Sequence, residues 1–151
     1  MEAFRAEWLR TMQINLFAAA DLCRRAILHF QSRPGGGRLV NLGSRAAYRG
    51  DGPANAHYAA SKAAMVGISK TWARAHAHEG ILVYTVAPGF VMTGMADEYL
   101  TTRGAAVAQD IPLGRVATVE EAANVIAYAA LDAPPSMTGA VLDLNGASYV
   151  R

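Results

Sequence analysis

His57 to Met65 reads HYAASKAAM. Among small residues it sets a phenol, Tyr58, and four positions later an ammonium, Lys62. On a helix that spacing puts both side chains on one face. The pair alone is a weak signal, because a tyrosine at a helix start and a solvated lysine make the same pattern. Ser44, closing the upstream stretch GRLVNLGS, raises its value. The three together suit carbonyl chemistry. A phenol with an ordinary pKa of about 10 is a poor base at neutral pH. An ammonium about 4 Å away, at an effective dielectric of about 20, favours phenolate by up to ~4 kcal/mol. A helix N-terminus acts in the same direction. Tyr58 could then exchange a proton with a carbonyl or hydroxyl oxygen, while Ser44 hydrogen-bonds that oxygen.

The elements that would position these groups follow from periodicity. Leu9, Met12, Leu16, Ala19, Cys23, Ala26, Ile27 and Phe30 recur at helical spacing, which predicts a helix over 3–31. RPGGG ends it, and RLVNLG reads as a short buried strand. A Gly-, Asp- and Pro-containing loop from Arg45 to Ala54 leads to a second long helix, from about Asn55 to Glu79, stopped by Gly80. Ile81 to Val86 is apolar nearly throughout, as buried parallel strands are. Residues 93–110 read as irregular or weakly helical. Thr118-Val-Glu-Glu121 has capping-box spacing and opens a third helix running to about Leu131. Ala140 to Leu144 is the last strand. Alternating helices and strands imply a parallel α/β sheet with helices on both faces. Ligands bind such sheets at the strands' carboxyl ends, so the loops after Leu42, Val86 and Leu144 are the places for function.

The 151 residues suit a single domain, 1–151. With 52% hydrophobic and 17% charged residues the chain is globular in composition. Its net charge of +2 and lack of lysine or arginine runs argue against nucleic acid and anionic membrane as partners. The opening MEAFRAEW lacks the pattern of a signal peptide. No apolar run is long enough to span a bilayer. Cys23 is the only cysteine, so no internal disulfide or thiolate metal cage is expected, and a reducing cytoplasmic setting fits. His29, His57, His76 and His78 have no metal-binding spacing and read as surface or packing residues. Ser44 lacks a Gly-x-Ser-x-Gly elbow, which counts against a hydrolase using Ser44 with Lys62.

Taken in order, these motifs resemble the short-chain dehydrogenase/reductase family. GRLVNLGS is similar to its strand ending in the active-site serine, Ser44. YAASK carries its Tyr-x-x-x-Lys, Tyr58 and Lys62. VAPGFVMT resembles its Pro-Gly loop, which implies that Pro88, Gly89, the Val91 backbone and Thr93 meet the nicotinamide end of a cofactor. EWLRTMQINL matches the segment holding the family's active-site asparagine, here Asn15. IPLGR, VEEAAN and VLDLNGAS resemble its C-terminal third, so the likeness covers nearly the whole chain. The Ser44–Tyr58 loop is slightly longer than is usual. The resemblance implies NAD or NADP as cofactor and a small carbonyl or alcohol as substrate. It implies that Tyr58 is the acid/base and Ser44 the oxygen anchor. Lys62 would tune the phenol and hold the ribose, and Asn15 would orient a water linked to Lys62. Met92, Met95, Tyr99 and Leu100 would lie over the substrate. A homodimer or homotetramer through the two long helices is expected from the family and from Leu16, Phe17, Ala20, Ala26, Ala60, Ala64, Met65, Gly67 and Trp72, which spread over several helix faces.

One family feature has no counterpart in these residues. A dinucleotide's pyrophosphate sits on a Gly-rich turn between a strand and a helix N-terminus. Gly35-Gly36-Gly37 has the opposite order, helix then strand. The expectation is therefore an incomplete Rossmann-like doubly wound parallel sheet, the C-terminal half of the fold. A non-catalytic chain acting only in assembly or interaction is the alternative.

Overall fold

The computed structural model describes residues 1–93 and 107–151. Helix α1 (Glu2–Met12) runs through a π-helical turn (Gln13–Phe17) into α2 (Ala18–Gln31). Strand β1 (Gly37–Leu42) is followed by a short helix α3 (Ala46–Arg49) and the long helix α4 (Ala56–His76). Then come β2 (Ile81–Pro88), α5 (Val119–Ala127), a second π turn (Tyr128–Asp132) and β3 (Val141–Leu144). The three strands form one parallel sheet in the order β1-β2-β3. This is the parallel α/β sheet expected from the alternation of elements, in the Rossmann-like form that the family resemblance implies.

The central strand carries the core. Ile81, Val83, Tyr84, Val86 and Ala87 are fully buried, because helices cover β2 on both faces. Tyr84 packs on Ala129 and Ala133, and its hydroxyl donates to the Pro134 carbonyl at 3.2 Å. Asn41 breaks the apolar run of β1 but is bonded at both ends of its amide. Cys23 Sγ donates to its Oδ1 at 3.2 Å, and its Nδ2 donates to Ser69 Oγ at 2.9 Å. That buried polar chain ties α2, β1 and α4 together. Burial pushes the Cys23 thiol up, so it is an inert core group.

Helix ends follow the sequence signals. Gly80 takes a left-handed φ of 72° after the 3₁₀ turn that closes α4. Thr118 Oγ1 accepts the Glu121 N–H at 3.1 Å, while the Glu121 carboxylate accepts the Thr118 N–H at 2.8 Å. Arg115 forks onto the same carboxylate at 2.8 Å through two nitrogens. That fork and the capping bond hold the Glu121 carboxyl down at about 2.

Three expectations need correction. The helix expected over 3–31 is not one continuous buried stripe: α1 buries no residue, and Leu9 is exposed. The π turn adds residues to one turn and rotates the faces of α1 and α2 relative to each other. Only Cys23 and Ile27 of the expected stripe are buried. The Arg45–Ala54 loop contains α3, which ends where Gly50 takes a φ of 77°. Strand β2 continues past Val86 to Pro88. Proline fits there because only its carbonyl is needed, and that carbonyl accepts the Arg45 N–H at 2.9 Å.

Candidate active site

The register brings the strands' carboxyl ends level, with Leu42 opposite Val86 and Pro88 opposite Leu144. The loops leaving them are laced by backbone hydrogen bonds. Gly43 N–H donates to the Val86 carbonyl at 2.8 Å, and Gly89 N–H donates to the Leu144 carbonyl at 2.8 Å. Ser44 thus sits between two anchored residues, Gly43 and Arg45. Gly89 favours glycine: a Cβ there would lie 3.0 Å from Asn145 Cβ and 3.1 Å from its Cα, so Asn145 would have to give way. Phe90, next along, packs on Val107, Ile111 and Val116.

A cleft of about 580 Å³ opens over these loops. Ser44, Tyr58, Gly89, Val91 and Thr93 all line it, with Arg45 and Arg49 beside them. Five of the residues named from the sequence are therefore brought to one cleft. Ser44 is buried, and its Oγ accepts the Ala46 N–H at 3.1 Å, which fixes the hydroxyl oxygen. Tyr58 stands in the first turn of α4 and is half-buried. Its hydroxyl has no hydrogen-bond partner among the described residues.

Lys62 is one helical turn on. Its Nζ lies 5.8 Å from the centroid of the Tyr58 ring and donates to the Leu42 carbonyl at 2.9 Å. The ammonium therefore sits against the ring and caps the end of β1. Burial pushes it below its ordinary range. It makes no bond to Ser44, so the pairing a Ser-Lys hydrolase needs is not formed.

Asn15 lies in the π-helical turn. Its Nδ2 donates to Ser61 Oγ at 3.1 Å, and Ser61 Oγ donates to the Tyr58 carbonyl at 2.7 Å. The asparagine thus braces the backbone that carries Tyr58. Ser61, fully buried, escaped notice in the sequence. Its signal was its place three residues after Tyr58, on the helix face that meets the first helix. His57, expected at the surface or in packing, meets a carboxylate distant in sequence. In space its Nε2 lies 3.3 Å from the Glu7 carboxylate, and its Nδ1 is 3.0 Å from Thr11 Oγ1. Met92 is exposed after the Pro-Gly loop, whereas Met95, Tyr99 and Leu100 lie outside the described residues.

Residues 1–146 match the profile of a protein family described as enoyl-(acyl carrier protein) reductase. The chain belongs to the short-chain dehydrogenase/reductase family. Among curated relatives, the 3-oxoacyl-[acyl-carrier-protein] reductase FabG of Haemophilus influenzae is 35% identical over 144 residues, 95% of this chain and 59% of that protein. A short-chain dehydrogenase/reductase of the glucose/ribitol dehydrogenase type from Brucella melitensis has 36% identity and a TM-score of 0.85. The match covers 97% of this chain and 58% of that one. A structure from Beutenbergia cavernae with NADP bound at low occupancy has 34% identity and a TM-score of 0.87, over 93% and 57% of the two chains. The chain spans somewhat over half the length of these relatives. NAD(P)-dependent interconversion of carbonyl and alcohol groups is the chemistry of the family, and its cofactor is NAD or NADP.

The donor set suits the nicotinamide end of such a cofactor. Val91 forms an isolated parallel bridge with Ala117, in which Met92 N–H and the Phe90 carbonyl are bonded to Ala117. The Val91 N–H and carbonyl take no part in that bridge and remain available to a carboxamide. Thr93 adds a hydroxyl in the same cleft, and Tyr58 and Lys62 offer donors suited to a ribose diol. No group of His, Cys, Asp and Glu suited to a metal ion occurs among the described residues.

Proposed function

We propose that this protein is an oxidoreductase interconverting a ketone and an alcohol with NAD(P)(H). The observation that carries the reading is the convergence of the Ser44 hydroxyl and an unpartnered Tyr58 hydroxyl in one cleft with the Val91 and Thr93 groups. The cofactor, when bound, supplies or removes the hydride at the carbonyl carbon. The chain's own residues handle the oxygen. Ser44, its oxygen held by Ala46 N–H, donates its hydroxyl proton in a hydrogen bond to the substrate oxygen. Tyr58 gives that oxygen its proton during reduction and takes it back during oxidation. Lys62 supplies positive charge beside the ring and a ribose donor, and Asn15 belongs to the relay that returns the proton to solvent. Pro88 and Gly89 set the course of the loop that carries Val91 and Thr93. The FabG relatives act on 3-oxoacyl groups, so 3-oxoacyl thioesters belong beside simple ketones in the assay panel. Oxidation of NADH or NADPH dependent on one of these carbonyl compounds tests the reading; inertness of the full natural protein towards all of them would remove it.

Lys62→Ala should weaken both dinucleotide binding and turnover, each by roughly 10-fold or more, the effect of losing a charged hydrogen bond. Titration calorimetry and steady-state kinetics measure both; normal affinity with unchanged turnover would take Lys62 out of the reaction.

The assembly reading is a homodimer or homotetramer formed through the long helices. Phe4, Leu9, Ile14, Phe17, Leu22 and Leu28 are all exposed along α1 and α2, an apolar surface that a lone copy would leave in water. No described helix is long and apolar enough to cross a membrane, and the single, buried Cys23 suits a reducing cytoplasm. Light scattering on the full natural protein at micromolar concentration should give a multiple of the monomer mass; a monomer would contradict the assembly.

A further inference from the structure

Arg45 stands beside the reacting groups and has no task in the reaction above. It follows Ser44 directly, lines the same cleft as Tyr58, and is only 9% exposed. Its Nη1 donates to Ser148 Oγ, and its guanidinium carbon lies 4.9 Å from the centroid of the Phe90 ring. Among the described residues no carboxylate lies within ion-pair distance of it. A buried cation without a counter-charge is costly. Burial accordingly pushes the guanidinium below its ordinary range and nearby Arg49 adds to that, while Asp110 and Asp51, beyond ion-pair distance, offset part of it.

Apart from Tyr58, the other ionisable side chains lining the cleft already have partners. Arg49 lies 3.2 Å from the Asp110 carboxylate, and His57 lies 3.3 Å from that of Glu7. Asp51 Oδ1 accepts the Gly52 N–H at 2.7 Å. Arg45 is held in place with no carboxylate in direct contact among the described residues; Asp110 and Asp51 act on it only from a distance. Ser148 Oγ donates to the Asn145 carbonyl at 2.7 Å, which leaves its lone pairs for Arg45. To bring Ser148 round, Gly146 and Ala147 both take left-handed φ values, 61° and 64°. Alanine rarely adopts that region, and such strain persists where the surroundings enforce it.

We infer that Arg45 recognises a carboxylate carried by the carbonyl substrate, so that the substrate class is a keto acid and, in the reverse direction, the matching hydroxy acid. A planar guanidinium suits a carboxylate, and a single guanidinium with no carboxylate in direct contact matches a monoanion better than a phosphate dianion. The inference rests on the oxidoreductase reading and names its substrate class.

The test compares acetoacetate with its neutral ester, methyl acetoacetate, using the full natural protein and reduced nicotinamide cofactor. The wild type should favour the acid by roughly 10²-fold in kcat/KM, chiefly through KM. Arg45→Met should bring that ratio towards one, and Arg45→Lys should restore part of it. The same ratio in wild type and Arg45→Met, or a wild type indifferent to the charge, would overturn the inference. Wild-type inhibition needs no folded variant: butyrate should compete with substrate and butyramide should not, and equal potency would likewise overturn it. Calorimetric titration with butyrate separates the two readings. Binding without any turnover keeps the carboxylate site and removes the oxidoreductase. Ester reduction without butyrate binding keeps the oxidoreductase and removes the site.

Discussion

Tyr58→Phe in the full natural protein is expected to lower ketone reduction by about 10³-fold, within the range typical of general acid–base groups, while the fold persists. The substitution removes one oxygen and keeps the ring. That oxygen bonds to nothing among the described residues, so its loss breaks no internal hydrogen bond. The ring still meets the Lys62 ammonium, whose centroid distance is 5.8 Å. The Ser61–Tyr58 and Asn15–Ser61 bonds use side chains and backbone that the substitution leaves alone. Thermal unfolding should therefore change little, and dinucleotide affinity should fall far less than turnover. Retained turnover near the wild-type value, measured on ketones and 3-oxoacyl thioesters, would remove Tyr58 as the proton donor. A variant that fails to fold would instead show that the hydroxyl is structural, contrary to its position in the cleft.

The sheet was legible because its residues repeat a simple physical demand. Ile81 to Val86 is buried from both faces, and a strand so placed is written in apolar residues almost without interruption. Capping at Thr118 and the turn at Gly80 were legible for the same reason, since each is solved locally by particular residue types. The cleft was legible in part: Ser44 follows a strand end and Tyr58 stands in a helix's first turn, and parallel topology sends both to one side of the sheet, whereas Asn15, Lys62 and Pro88 do not line it. What stayed hidden depended on contacts between distant segments. Nothing in QINLF announces a π turn, whose extra residue changes which face of α1 meets α4. The Asn15–Ser61 bond spans 46 residues, and only the packing of the two helices brings its ends together. Arg45 passed unremarked because an arginine beside a serine is ordinary in sequence. Its burial depends on Phe90 and Ser148, which come from other loops.

Residues 1–151 expressed by themselves are expected to bind NADH and NADPH too weakly to register in calorimetry at micromolar protein. The cleft offers groups for the nicotinamide end only: Tyr58, Val91 and Thr93, with Lys62 one helical turn beyond Tyr58. Much of a dinucleotide's binding rests on its pyrophosphate, held by a Gly-rich turn that opens a helix. Among the described residues no strand is followed by such a turn and helix; the glycine run, Gly35 to Gly37, leads into β1. The sheet supplies a second reason. Among the described residues β1 pairs with β2 alone, so its other edge is open, and Leu42 at its end is 49% exposed. An open edge beside apolar residues templates pairing between chains. Poor solubility should accompany the weak binding, with rescue by a polypeptide that covers that edge. If a partner restores solubility but no turnover, the chain acts in assembly rather than catalysis. Micromolar binding of either nucleotide by the isolated 151 residues, together with ketone reduction, would show that the nicotinamide half of the site is sufficient and that the expectation is wrong.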